Sequence, residues 1–132
     1  MLYNIIILRG AYSLNIEFYQ KPDGSEPAVD FLRSLNDKMR AKMVRTIDLL
    51  EEHGNKLRAP ESKMLEDGIF ELRATSSGNI TRVLYFFYLG NTAILTHGFI
   101  KKTQKTPRTE ILRAKEYRAN YLRRKKKNDH ME

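Results

Sequence analysis

Five residues stand out for the chemistry they could support together. Glu71 and Arg73 lie two apart in the run Gly68-Ile69-Phe70-Glu71-Leu72-Arg73, which reads as a strand. Both therefore project from one face, taken here as the solvent side, while Phe70 and Leu72 point to the other and can fill a core. Arg73 is placed to grip a phosphate, and Glu71 to orient it or to accept a proton. Arg82 stands across a short turn on the neighbouring strand, and a guanidinium fork matches two phosphate oxygens where an ammonium offers only a point charge. His97 falls inside the expected sheet with a ring that can titrate near neutral pH, and Lys101 shares its strand face. Cations around a phosphate, with groups to accept and donate a proton, suffice for phosphoryl transfer without a metal. No acidic metal-binding cluster is visible in the sequence, and no cofactor is expected. Four of the five also have a plainer reading. Glu71 with Arg73, and Arg82 likewise, would make surface ion pairs worth under about 1 kcal/mol, and His97 would be a satisfied structural histidine.

These residues need a sheet to hold them. Residues 14–19 alternate apolar and polar side chains, and Lys21-Pro22-Asp23-Gly24 ends that strand in a turn. Ser25 can cap a first helix containing Ala28, Phe31, Leu32 and Leu35 on one face. A second starts near Asn36 and Asp37, carries Met39, Met43, Ile47 and Leu50 at spacings of three and four, and stops at His53-Gly54. The methionine stripe reads as core packing. After a loop ending near Gly68, strands are expected over residues 68–74, 80–89 and 92–100, a three-stranded antiparallel meander. Pro107 opens a final helix bearing Ile111, Ala114, Tyr117, Tyr121 and Leu122, with the two tyrosines packing it on the sheet. The order describes an α+β domain: a mainly antiparallel sheet, an N-terminal helical hairpin and a C-terminal helix, with the helices on one face.

At 132 residues the chain fits one domain. We divide it into an N-terminal extension over residues 1–13, a domain over 14–122 and a basic tail over 123–132. There is no cysteine, which excludes disulfides, thiolate nucleophiles and zinc–thiolate sites and fits a reducing cytosol. Residues 1–8 are apolar apart from Asn4, but Arg9 interrupts them too early for a signal peptide, and no stretch reaches membrane-spanning length, so a cytoplasmic protein is expected. The net charge of +8 is unevenly placed. Residues 1–100 carry 12 basic and 12 acidic side chains, whereas residues 101–127 carry 12 basic against Glu110 and Glu116. Such a field at one end suits docking on phosphate, and a solvated basic helix is the plain alternative.

The Gly68–Arg73 run, the Arg82-Val83-Leu84-Tyr85 of the next strand, and His97-Gly98-Phe99-Ile100-Lys101-Lys102-Thr103 followed by Lys105-Thr106-Pro107 and Glu110-Ile111 occur in order. Together they resemble the phage-derived HigB-like branch of the RelE/ParE toxin superfamily over about residues 14–122. The resemblance implies a RelE-like fold, a type II toxin–antitoxin toxin that cleaves mRNA while the message sits in the ribosome, and neutralisation by a helix-turn-helix HigA-type antitoxin. RNA can be cut without metal when its own 2′-hydroxyl attacks the adjacent phosphate. On that reading Arg73, Arg82 and Lys101 serve the phosphate, and Glu71 or His97 acts in proton transfer. Lys102, Lys105, Arg108, Arg113, Lys115 and Arg118 are the candidate RNA contacts. RelE-type toxins often place a late tyrosine in the site, and here Tyr117 and Tyr121 come too far along to match it. Two rivals stand beside this reading: a gyrase-poisoning relative with the same fold, and a nucleic-acid-binding module without turnover.

Overall fold

Alternating side chains around Ile16 and Phe18 make β1 (Asn15–Phe18) in the structure, a computed structural model that describes residues 14–102 and 105–131. The extension expected over residues 1–13 lies outside the described residues. Helix α1 (Pro27–Ser34) follows, and its start departs from expectation. Glu26 is the N-cap without a side-chain cap bond, while the Ser25 hydroxyl donates to Asp23 Oδ1 at 2.6 Å. Pro27 supplies the helix start instead, since its fixed φ suits the first turn and its missing N–H is one the helix does not need. Helix α2 (Asp37–His53) is capped as its sequence indicates, with Asn36 Oδ1 accepting from the Met39 N–H at 2.9 Å and Gly54 closing it at φ 58°. Met39, Met43, Ile47 and Leu50 are all buried, which for side chains of this size stabilises by about 1.5–3 kcal/mol each.

A 3-10 turn (Gly54–Lys56) leads to β2 (Ser62–Glu66), a strand in the stretch expected to be loop. Then come β3 (Ile69–Ser76), β4 (Asn79–Tyr88) and β5 (Thr92–Lys101). The five strands form one sheet in the order β1-β5-β4-β3-β2. The meander β3-β4-β5 is antiparallel, β2 adds antiparallel to β3, and β1 pairs in parallel with β5, Asn15 opposite Thr92. The sheet is therefore mixed.

Helices cover both faces, not one. Leu72, Ala74, Val83, Tyr85 and Leu95 pack with the apolar stripes of α1 and α2. Ile69, Leu84, Phe86 and Ile94 pack with Ala114, Tyr117 and Tyr121 of α3 (Arg108–Met131). Val83 and Leu84 are neighbours on one strand, so the two cores lie on opposite sides of the sheet. Tyr19 joins the second core, its ring 4.7 Å from that of Tyr117, and Tyr121 meets Phe86 and Tyr88 edge-on. Helix α3 also runs through the stretch expected as a charged tail: Arg124 lies over the Tyr19 ring, and Lys125 over Tyr121 at 5.4 Å. Gly98 is required by close approach, because a methyl there would stand 2.1 Å from the Phe31 ring that seats α1 on β5. Among the described residues no helix is long and apolar enough to cross a membrane.

Candidate active site

The α3 face of the sheet carries the chemistry. In β3, Glu71 and Arg73 share that face as their spacing requires, and Arg73 pairs across with Arg82 of β4. In β5 the alternation is broken by a bulge between the Leu84–His97 and Tyr85–Leu95 pairs, with Thr96 as the extra residue. The buried Thr96 hydroxyl donates to the Leu84 carbonyl at 3.1 Å and pins the bulge. As a result Leu95 faces α1 and α2, whereas His97, Phe99 and Lys101 are moved onto the face shared by Leu84 and Arg82.

Glu71 is the centre of the cluster and is 0% exposed, so it does not lie on the solvent-facing surface expected from sequence. Arg73 Nε donates to Glu71 Oε2 at 3.0 Å, and Arg82 Nε stands 3.4 Å from the same oxygen. The Arg82 Nε–H makes no hydrogen bond among the described residues, while its Nη1 donates to the Thr81 carbonyl. Burial pushes the Arg82 guanidinium below its ordinary range against the pull of Glu71. The other Glu71 oxygen, Oε1, accepts from the Thr106 hydroxyl at 2.5 Å. The Arg73 side chain remains 26% exposed, the open end of an otherwise enclosed set.

Lys101 closes the cluster. It is buried, and burial lowers its ammonium below the ordinary lysine range; Glu71 opposes that shift, and Arg82, Arg73 and Lys63 add to it. Lys63, Glu71, Lys101, Lys105, Thr106 and Ile111 are among the residues around a cleft of about 190 Å³. Three lysines and two carboxylates line it, Glu66 already paired with Arg108 and Lys115 and Glu71 with two guanidiniums behind, which leaves an electropositive recess suited to an anion. Among the described residues no three His, Cys, Asp or Glu side chains gather as metal ligands.

Residues 30–119 match the phage-derived Gp49-like protein family (DUF891), more than half of the chain. The chain belongs to that family. Gp49-like proteins fall in the RelE/ParE-like toxin superfamily, and such membership implies an antitoxin partner. No curated protein matches the sequence.

Within this Gp49-like domain, then, Glu71, Arg73, Arg82 and Lys101 come together. His97 occupies a different setting. Its ring is buried, with Nδ1 3.1 Å from the Thr96 hydroxyl, Nε2 3.3 Å from Glu110 Oε1, and Tyr117 edge-on at 5.6 Å. Burial, aided by the Arg113 charge, lowers its pKa to about 4. The fold thus holds the ring neutral where an unfolded imidazole, with its ordinary value of 6.5, takes a proton. That contribution to stability is intact above about pH 6.5 and is lost as pH falls toward 4, by up to about 3 kcal/mol. Thermal unfolding between pH 7 and 4.5 should show a steeper fall for the native chain than for His97→Leu. Parallel curves would refute the buried neutral ring.

The six basic residues considered for RNA divide. Lys102 and Lys105 are exposed, and Lys105 lines the cleft. Arg108 and Lys115 both pair with Glu66, Lys115 also reaches Asp67 at 2.7 Å, and Arg118 donates to the Asp67 carbonyl. Arg113 pairs with Glu110 at 2.8 Å. These four tie α3 to the β2–β3 turn or to itself. Sequence reasoning missed Lys63, because its strand was read as loop, and Thr106, whose only signal was its place in the Lys105-Thr106-Pro107 run.

Proposed function

We propose that this chain is the HigB-like toxin of a type II toxin–antitoxin pair, an endoribonuclease that cuts mRNA in the ribosome and so stops translation and growth. The observation that carries this reading is the gathering of Arg73, Arg82 and Lys101 around a fully buried Glu71 at the edge of an open cleft. The reaction is an attack of the 2′-oxygen on the adjacent phosphorus. A P–O2′ bond forms and the P–O5′ bond breaks, leaving a 2′,3′-cyclic phosphate and a 5′-hydroxyl, with one proton removed and one supplied. Arg73 and Arg82 offer guanidinium donors to the phosphorane oxygens, where charge accumulates. Lys101, with its ammonium held below the usual range, is the group suited to proton transfer, and Glu71 orients both arginines. The buried, neutral His97 serves the packing of β5 against α3. Lys102 and Lys105 extend the positive rim toward the RNA strand. The partners on this reading are ribosome-bound mRNA and a helix-turn-helix HigA-type antitoxin, and no metal takes part.

Brief induction of the protein followed by primer-extension mapping of cellular messages tests the reading. Cuts should appear inside translated regions and vanish when translation initiation is blocked. Intact messages accompanied by DNA breaks would identify a gyrase poison instead, and binding without either lesion would leave only a nucleic-acid-binding module.

A further inference from the structure

We propose that Thr106 is a positioning residue for the phosphate-binding arginines, its hydroxyl fixing the Glu71 carboxylate and, through it, the guanidiniums of Arg73 and Arg82. The inference rests on the ribonuclease reading above and assigns a role outside the strands that carry the cluster.

Thr106 stands immediately before Pro107, whose carbonyl accepts from the N–H groups of Glu110 and Ile111 in the first turn of α3. Pro107 is thus the N-cap and Thr106 lies one place before it, outside the position whose side chain would serve the free N–H groups of the helix, so its hydroxyl is left to bond elsewhere. Here it donates its proton across the fold to Glu71 Oε1, at 2.5 Å, within the ~2.5–2.7 Å of hydroxyl-to-carboxylate bonds. Both partners are shielded, Thr106 at 6% exposure and Glu71 at 0%, so water cannot readily replace the hydroxyl if it is removed. The following proline restricts the Thr106 backbone to extended conformations, and buried Ile111 anchors the turn behind it. The hydroxyl is thus aimed by a stiff segment.

The consequence for the cluster follows from counting oxygens. With Oε1 committed to Thr106, Arg73 and Arg82 both meet Oε2, which sets their guanidiniums side by side. Without that bond the carboxylate is free to turn, and Lys101, which already feels its charge, is the cation on the cleft side to receive it. The arginines would lose their common anchor, and Lys101 would hold its proton more tightly.

Thr106→Val keeps the shape and removes the donor, whereas Thr106→Ser keeps the donor. Single-turnover cleavage of ribosome-bound mRNA should be about ten- to a hundredfold slower in the valine variant. The ribosome concentration for half-saturation should stay within about twofold, and the serine variant should cleave within about threefold of the native chain. The pH at which the rate reaches half its maximum should move upward in the valine variant alone, as Lys101 gains the carboxylate. A second measurement needs no activity: the Arg73 Nε–H should exchange slowly with water in the native and serine proteins and quickly in the valine protein, read by nitrogen-15 NMR. Unchanged cleavage and unchanged exchange in Thr106→Val would overturn the proposal, as would a serine variant as impaired as the valine one. A native protein that cuts no message defeats the ribonuclease reading, and the exchange measurement still decides whether Thr106 positions the arginines.

Discussion

Replacing Arg73 by alanine should leave the protein folded and unable to arrest growth. The Arg73 side chain is about a quarter exposed and, among the described residues, its one hydrogen bond runs from Nε to Glu71, so truncation opens no cavity in either core. Glu71 keeps Arg82 and Thr106 as partners. What disappears is a guanidinium aimed at the place where phosphorane charge would develop. Loss of one such preorganised donor lowers a rate by about 10²–10³-fold, or about 3–4 kcal/mol of barrier. Arg73→Lys should recover only part of this, because an ammonium restores charge without the two-pronged fork. Circular dichroism with primer extension on the same preparations checks both halves of the statement. An unfolded Arg73→Ala protein would make the residue structural, and a folded one that cuts messages at the native rate would remove it from the site.

Glu71→Ala should be worse, since it fails in stability as well as in activity. Arg82 is 7% exposed and stands with Arg73 and Lys101 around this single carboxylate. Deleting the anion leaves buried positive charge uncompensated, a change that typically costs about 3–5 kcal/mol. For a chain of this size the midpoint of thermal unfolding should drop by roughly 10 °C or more. Glu71→Gln, which keeps the shape and an acceptor for Thr106, should fall between. The companion experiment separates folding from chemistry: Glu71→Met combined with Arg82→Met replaces the buried pair by apolar side chains of similar volume. It should regain most of the lost stability while cutting nothing. A double variant that still cleaves mRNA would show that the cluster supports the sheet and that the reaction lies elsewhere.

The sequence revealed periodicity well and failed where the chain departs from it. The Met39–Met43–Ile47–Leu50 stripe, the caps at Asn36 and Gly54 and the alternation from Glu71 to Arg73 are local signals, and the structure carries each of them. β2 was invisible because its five residues, Ser62–Glu66, put two exposed side chains next to each other and show no clean alternation. The burial of Glu71 was equally hidden: a charged residue reads as surface until Thr106, just before α3, is known to bond to it. The bulge at Thr96 is the most instructive case. Counting by twos from Lys101 to His97 gives the right shared face, but continuing to Leu95 gives the wrong one, and no residue there marks the break. Placing the helices on one side of the sheet failed for a related reason. Strands such as Val83–Phe86 are apolar on both faces, which demands two covers rather than one.

One feature of the sheet sets a timetable for the molecule as it is made. β1, the first strand described, has its only strand partner among the described residues in β5, and α1 is seated on β5 as well, with the Phe31 ring over Gly98. Chains are synthesised from the amino end, and contacts between distant residues form slowly because a long loop must be closed first. The segment from β1 through α1 therefore waits, without its sheet surface, until residues 92–101 have been synthesised. By then Glu71, Arg73, Arg82 and Lys101 have all been joined to the chain. Closure of the sheet and the arrival of the last strand residue of the charged cluster thus become nearly the same moment in the life of a nascent protein, with Thr106 and α3 still to follow.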